Sequence, residues 1–147
     1  MTLNKSTRYA LYAAMEMAQA GGRSVTVAQV ARRYRIPAGA LAKVFQQLVR
    51  SGVAAGTRGI GGGYRLAKPA TRLTILDLIA IYEPPRDAGR CLLADRAERP
   101  CDDFPACRLR RLFDEVDEVA RCTLQSVTLE TLVRRPLPQT DRRPGAA

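Results

Sequence analysis

The chain has 147 residues, enough for one domain with its own core plus an appendage. Its formal charge is +10 and it has no histidine, which excludes histidine catalysis, histidine metal ligation and the usual protonation switch near neutral pH. No run reaches the ~18 apolar residues of a membrane span, and the start lacks the charged, apolar and cleavage regions of a signal peptide, so a cytoplasmic protein with no membrane partner is expected.

The charge is uneven. Residues 1–76 hold 12 Lys and Arg against one acid, Glu16, whereas residues 77–147 hold 12 Arg against 13 acids. A basic half joined to a near-neutral half implies that one half meets a polyanion. Stable disulfides are rare in a cytoplasm, so Cys91, Cys101, Cys107 and Cys122 read as free thiols, metal ligands or redox groups.

In chain order, residues 4–20 form a first helix, with Ala10, Leu11, Ala14, Met15 and Ala18 on one face and Tyr9, Tyr12, Ala13 and Glu16 on a second. Gly21-Gly22 ends it. Thr26-Val27-Ala28-Gln29 has the form of a capping box and opens a second helix, filled by Ala28, Val30, Ala31 and Tyr34. The turn Arg35-Ile36-Pro37 leads to a third helix with proline at its first position. There Leu41, Val44, Phe45, Leu48 and Val49 make a core face, and Gly39, Lys43, Gln46 and Arg50 form a straight row opposite.

Next comes Arg58-Gly59-Ile60-Gly61-Gly62-Gly63-Tyr64-Arg65, flanked by two short strands, Val53-Ala54-Ala55 and Tyr64-Arg65-Leu66. The glycines fall at a hairpin tip. A nucleotide-binding loop is discounted, because the Gly-x-x-x-x-Gly-Lys-Ser/Thr order is absent. Helix, helix, tight turn, helix and hairpin are the order of a winged helix-turn-helix domain. The expected fold is mainly α with a small β-hairpin wing, and the expected partner is double-stranded DNA. The third helix enters the major groove, so Ala38, Gly39, Ala40, Lys43, Gln46 and Arg50 are candidate contacts, together with Thr26 before it. On the wing the candidates are Arg58, Gly59, Gly61, Gly62, Tyr64 and Arg65.

Thr74-Ile75-Leu76-Asp77 starts a fourth helix that carries Leu78, Ile79, Ile81 and Tyr82 and stops at Pro84-Pro85. This bounds a DNA-binding domain at residues 1–82. Residues 83–107 read as a cysteine-bearing loop. Residues 108–133 read as one long helix with Leu109, Leu112, Phe113, Val116, Ala120, Thr123, Leu124 and Val127 along a stripe. A long helix after a finished domain has little left to bury against, so it is assigned to homodimerisation, the alternative being a helix folded back onto its own domain. Residues 134–147 read as a disordered tail.

Cys91, Cys101 and Cys107 are separated by nine and five residues, which is not the paired spacing of structural zinc. The spacing leaves two readings open. One is an iron–sulfur cluster, whose irons prefer thiolates and whose negative charge Arg90, Arg96, Arg99 and Arg108 would offset. The other is a set of redox thiols forming a switch disulfide. Cys122 falls on the polar side of the long helix and reads as a surface or packing thiol, with a fourth cluster ligand as the alternative. Nothing suggests an enzyme, since no nucleophile has an obvious base and no phosphate loop is present.

The Tyr9-Ala10 run, the three helices, the Arg58–Leu66 glycine wing, the three loop cysteines and Ser126-Val127-Thr128-Leu129 together resemble the Rrf-type bacterial winged-helix regulators. These include the iron–sulfur sensors IscR, NsrR and RirA. The resemblance implies a homodimeric transcription factor, most often a repressor, on a palindromic operator. It implies a cluster on Cys91, Cys101 and Cys107, [4Fe–4S] in preference to [2Fe–2S], reporting iron supply, redox state or nitric oxide. It also implies that the third helix reads the major groove and the wing the minor groove. The chain departs from the pattern in four places. The gap between Cys91 and Cys101 is longer than usual. The histidine ligand of IscR-type members is absent. Arg8 stands where NsrR-type members carry an acidic ligand for the partner's cluster, which leaves Asp95, Glu98, Asp102, Asp103 or an outside molecule for the fourth site. Lys43 stands where the family often has glutamate on the recognition helix. An electron carrier built on the same cluster is the rival from another class, and it would leave the basic half without a purpose.

Overall fold

The computed structural model describes residues 3–83 and 106–134. Cys91, Cys101, the Pro84-Pro85 stop, the four candidate acidic ligands and the tail beyond residue 134 lie outside the described residues. Among those described, the order is α1 (Lys5–Gln19), α2 (Val27–Tyr34), α3 (Ala38–Arg50), β1 (Ala54–Thr57), β2 (Gly63–Leu66), a 3-10 turn at Ala70–Arg72, α4 (Ile75–Ala80), α5 (Arg108–Ser126) and α6 (Leu129–Arg134). The fold is the expected mainly helical one with a two-stranded antiparallel wing. No described helix is long and apolar enough to cross a membrane.

Local chemistry sets the boundaries. Asn4 caps α1 by accepting the Thr7 N–H at 2.9 Å. The Thr26–Gln29 capping box is complete, with both reciprocal bonds made at 3.2 and 2.8 Å. The turn into α3 needs Arg35 in the left-handed region, φ 54°, a conformation that no other described non-glycine residue adopts. Pro37 is the N-cap of α3, one position before the expected one. Its ring holds φ at −57° while ψ stays extended at 124°, and its carbonyl accepts the Leu41 N–H at 3.0 Å.

The core gathers α1, α3, α4 and the strand that leads into the wing. Ala10, Ala13 and Ala14 are fully buried on α1, and their small side chains let neighbouring helices approach closely. Phe45, Leu41 and Leu48 of α3 and Leu78 of α4 fill the space between. Val49 departs from expectation. It is 39 % exposed and faces the groove beside the wing, because the core contact of α3 spans a narrower arc than its apolar stripe.

The C-terminal region is the main correction. The stretch expected as one helix over 108–133 breaks after Ser126. Thr128 lies extended and pairs with Thr74 in a single bridge, while the Val127 carbonyl accepts the Ile75 N–H and Leu129 donates to the Leu73 carbonyl, both at 2.9 Å. Thr128 Oγ1 then caps the next helix through the Thr131 N–H at 3.2 Å. The break is favourable because it seats Leu129, fully buried, in the core of the first domain, where α6 packs on α1. Hence α6 joins the core built by α1, α3 and α4 rather than continuing α5.

Candidate nucleic-acid interface

The sole acid of the first 76 residues, Glu16, is neutralised inside the fold. Arg33 pairs with it at 3.0 Å and the Tyr34 hydroxyl donates to it at 2.6 Å. Burial, helped by that hydrogen bond, pushes Tyr34 up to about 12. Tyr34 also lies beside Tyr12, ring centroids 4.6 Å apart. What α2 and α3 show to solvent is therefore cationic. Among the described residues, none of Lys43, Arg50, Arg58 and Arg65 has a carboxylate partner.

Spacings of four, three and four residues keep Gly39, Lys43, Gln46 and Arg50 on one side of α3, and all four are exposed. Ala38, Gly39 and Ala40 are exposed in its first turn, where no side chain caps the helix. First-turn N–H groups lack an intrahelical partner, so this end attracts phosphate oxygens, and the small side chains leave them accessible. Thr26 Oγ1 already accepts from Gln29, but its hydroxyl proton remains available to an outside acceptor.

The wing stands directly across from that row. Gln46, Val49 and Arg50 form one wall of an open groove, and Gly56, Thr57, Arg58, Gly63 and Tyr64 form the other. Three attachments hold the wing in place. β1 and β2 pair from Ala54↔Leu66 to Thr57↔Gly63. Tyr64 and Val25 exchange both backbone bonds at 2.8 Å, and the Ser24 and Thr57 hydroxyls meet at 3.0 Å. Gly63 is required by closeness, because a Cβ there would sit 2.7 Å from the Val25 carbonyl oxygen. Tyr64 has a structural task as well as a place in the groove, since its ring packs on Phe45 with centroids 4.6 Å apart. Arg58, Gly59, Gly61 and Arg65 are exposed around the tip, and Gly62 is partly covered by the loop's own backbone.

A second cluster ties the end of α4 to both α1 and α3. The Glu83 carboxylate accepts the Thr7 hydroxyl at 2.6 Å and the Asn4 N–H at 2.8 Å, and Thr7 is fully buried. Tyr82 donates its hydroxyl to the Val44 carbonyl of α3 at 2.9 Å, and burial holds its pKa above the tyrosine range. These partners are 76 and 38 residues apart in sequence, so no periodicity or motif could reveal them.

Of the three candidate metal ligands, Cys107 is described. It is the N-cap residue of α5, half-buried, and its side chain makes no capping bond. Among the described residues no three His, Cys, Asp or Glu side chains gather around one point. Cys122 is exposed, as expected, and its thiol donates to Glu118 at 3.4 Å.

The Rrf2 family, described as iron-dependent transcriptional regulator, matches residues 3–135. BadM of Rhodopseudomonas palustris, named as an HTH-type transcriptional regulator, is 39 % identical over 144 residues, covering 97 % of this chain and 86 % of that protein. An rrf2-like HTH-type regulator of Rhodobacter capsulatus is 32 % identical over 138 residues, covering 89 % of this chain and 91 % of that protein. The fold is shared with CymR, the global cysteine regulator of B. subtilis, at a TM-score of 0.74 and 24 % identity, covering 90 % of this chain and 96 % of that one. It is shared with T. potens IscR at 0.72 and 19 %, covering 90 % and 86 %. With a basic recognition helix facing a glycine wing, and with relatives named as regulators rather than enzymes, the chain belongs to the Rrf2 family of DNA-binding transcriptional regulators.

Proposed function

We propose that this regulator binds a palindromic operator as a homodimer, and that an iron–sulfur cluster on Cys91, Cys101 and Cys107 sets the strength of that binding. The observation that carries the reading is the groove in which Gln46 and Arg50 face Arg58. One duplex can meet the helix row through its base edges and the wing through its phosphates.

Support for a dimer comes from α5. Leu109, Leu112, Phe113, Val116 and Val119 are each more than half exposed, and the helix has no buried residue. Water penalises such a stripe at roughly 25 cal/mol per Å² of apolar surface, and a second copy removes that cost. A twofold pair then sets the distance between two recognition helices, which an operator with two half-sites reads.

Support for the ligand set comes from Cys107, whose thiol is free of capping duty at the positive end of α5, a setting that suits a negatively charged group. When bound, the cluster would supply a centre sensitive to oxidation and nitric oxide. The chain's own residues carry the consequence. Glu83 and Tyr82 stand at the threshold of the segment that holds Cys91 and Cys101. A displacement at residue 83 acts on Thr7 of α1, and one at residue 82 acts on the backbone of α3. A coupling of ~1–3 kcal/mol through these bonds changes affinity about 5- to 150-fold.

Anaerobic protein should contain iron and sulfide and absorb in the visible range, and Cys101→Ser should abolish both. A colourless, iron-free protein with full operator affinity refutes the sensor reading. A second reading is the alternative that the cysteine spacing leaves open. Here the thiols would form a switch disulfide without metal, and iron analysis of anaerobic protein separates the two.

A further inference from the structure

The wing ends in an apolar point. Ile60 is fully exposed, at 111 % of its reference area, and exceeds every other exposed large apolar side chain among the described residues in this respect. It occupies the second position of a four-residue turn closed by the Gly62 N–H on the Gly59 carbonyl at 2.9 Å. Gly59 and Gly61 flank it at φ 100° and 82°, so no neighbouring side chain can fold over it. The turn is also tight. A Cβ on Gly62 would lie 2.6 Å from the Thr57 carbonyl oxygen and 2.8 Å from that of Gly59, so the loop closes on its own backbone.

Folding gives no reason for isoleucine here. The side chain buries nothing, and a polar residue suits this turn position equally well. Its surroundings select a partner. Arg58 and Arg65 are exposed on the same wing without carboxylate partners among the described residues, and the groove shared with α3 opens beside them. A cationic hairpin with one apolar apex matches a polyanion that has an apolar interior, which is a stacked duplex.

We infer that Ile60 is a wedge that enters the minor groove and presses on one base step, partly unstacking it. This rests on the DNA reading above and deepens it, because it assigns a shape-reading residue to the wing. Apolar wedges act in this way at minor grooves and bend the duplex toward the major groove. Pyrimidine–purine steps yield most easily, so the wedge gives a preference for TA or CA at a position that α3 does not touch.

The test uses the full-length protein and a duplex selected from a random pool by the wild type. Affinity is measured by anisotropy across a salt series, with 2-aminopurine placed at the step facing the wing. Wild-type binding should brighten the 2-aminopurine. Ile60→Ala should weaken binding about 5- to 30-fold, the loss expected for part of a buried isoleucine, and should leave the probe dark. The salt slope should be unchanged, because no charge is removed, whereas Arg58→Ala should reduce it by about one. Circular dichroism verifies that the exposed substitution leaves the fold intact. If the wild type binds and Ile60→Ala binds equally well with equal brightening, the wedge is overturned alone. If the wild type selects no duplex, the DNA reading falls and takes the wedge with it.

Discussion

Replacing Leu129 with alanine tests whether the chain beyond α5 belongs to the DNA-binding core. Leu129 is fully buried, and its N–H holds the Leu73 carbonyl at 2.9 Å. Core Leu→Ala changes cost ~2–5 kcal/mol, depending on how far the surroundings collapse into the void. Collapse should be limited here. α6 packs on α1, whose buried residues include Ala10, Ala13 and Ala14, and alanines have no side chain to swing inward. The cost should therefore lie in the upper half of that range, against a total stability of ~5–15 kcal/mol. For a chain of this size the melting temperature should fall by roughly 7–20 °C. Urea unfolding at one fixed protein concentration is the appropriate assay, because dissociation of a dimer makes midpoints concentration-dependent. Leu112→Ala on the exposed stripe of α5 is the control. Repeated over a series of protein concentrations, it should change the concentration dependence of unfolding more than the midpoint at any one of them. A loss below about 1 kcal/mol for Leu129→Ala, with an unchanged slope, refutes the placement of α6 in the core.

Other perturbations address the interface and its supports. Lys43→Ala should cost ~1–3 kcal/mol at one operator position and little elsewhere, as measured by competition among single-base variants; equal weakening of all sequences would mean that the recognition face is misplaced. Gly62→Ala must open the wing turn, so it should lower DNA affinity at a folding cost of ~1–3 kcal/mol, read by anisotropy and by thermal melting. Tyr82→Phe keeps the ring but deletes the bond to Val44, and chemical unfolding should show a loss of ~0.5–1.5 kcal/mol. In alkali, Tyr34 resists ionisation in the fold, with a pKa near 12 against the usual 10. The unfolded chain releases that proton first, so this contribution is complete below about pH 10 and is lost as pH climbs toward 12. Tyrosinate absorbance should show two late-titrating groups, Tyr34 and Tyr82, and Tyr34→Phe should remove the one near pH 12 and leave the other.

Local periodicity and turn chemistry were enough to place the first four helices, the capping boxes that Thr26 forms with Gln29 and Thr74 with Asp77, and the glycine hairpin. The reason is that each depends on residues within four positions of one another. The outward row of α3 was legible for the same reason, since opposite faces of a helix are distinguished by spacing alone. The break after Ser126 was not legible. Val127 fits the stripe of α5 as well as it fits an extended residue, and only the bridge to Thr74 and the burial of Leu129 decide between them. Val49 likewise belongs to the apolar stripe by period, and its exposure depends on where the wing stands.

Basic charge, helix order and the glycine-rich tip specify a duplex-binding regulator from the residues alone, because charge and backbone freedom are properties of each residue that survive any folding. Pairings between distant groups belong to the tertiary structure: Glu16 with Arg33 and Tyr34, Thr7 with Glu83, Tyr82 with the backbone of α3, and the wing with Val25. A hydrogen bond forms or fails within tenths of an ångström, and packing of the whole chain sets that distance.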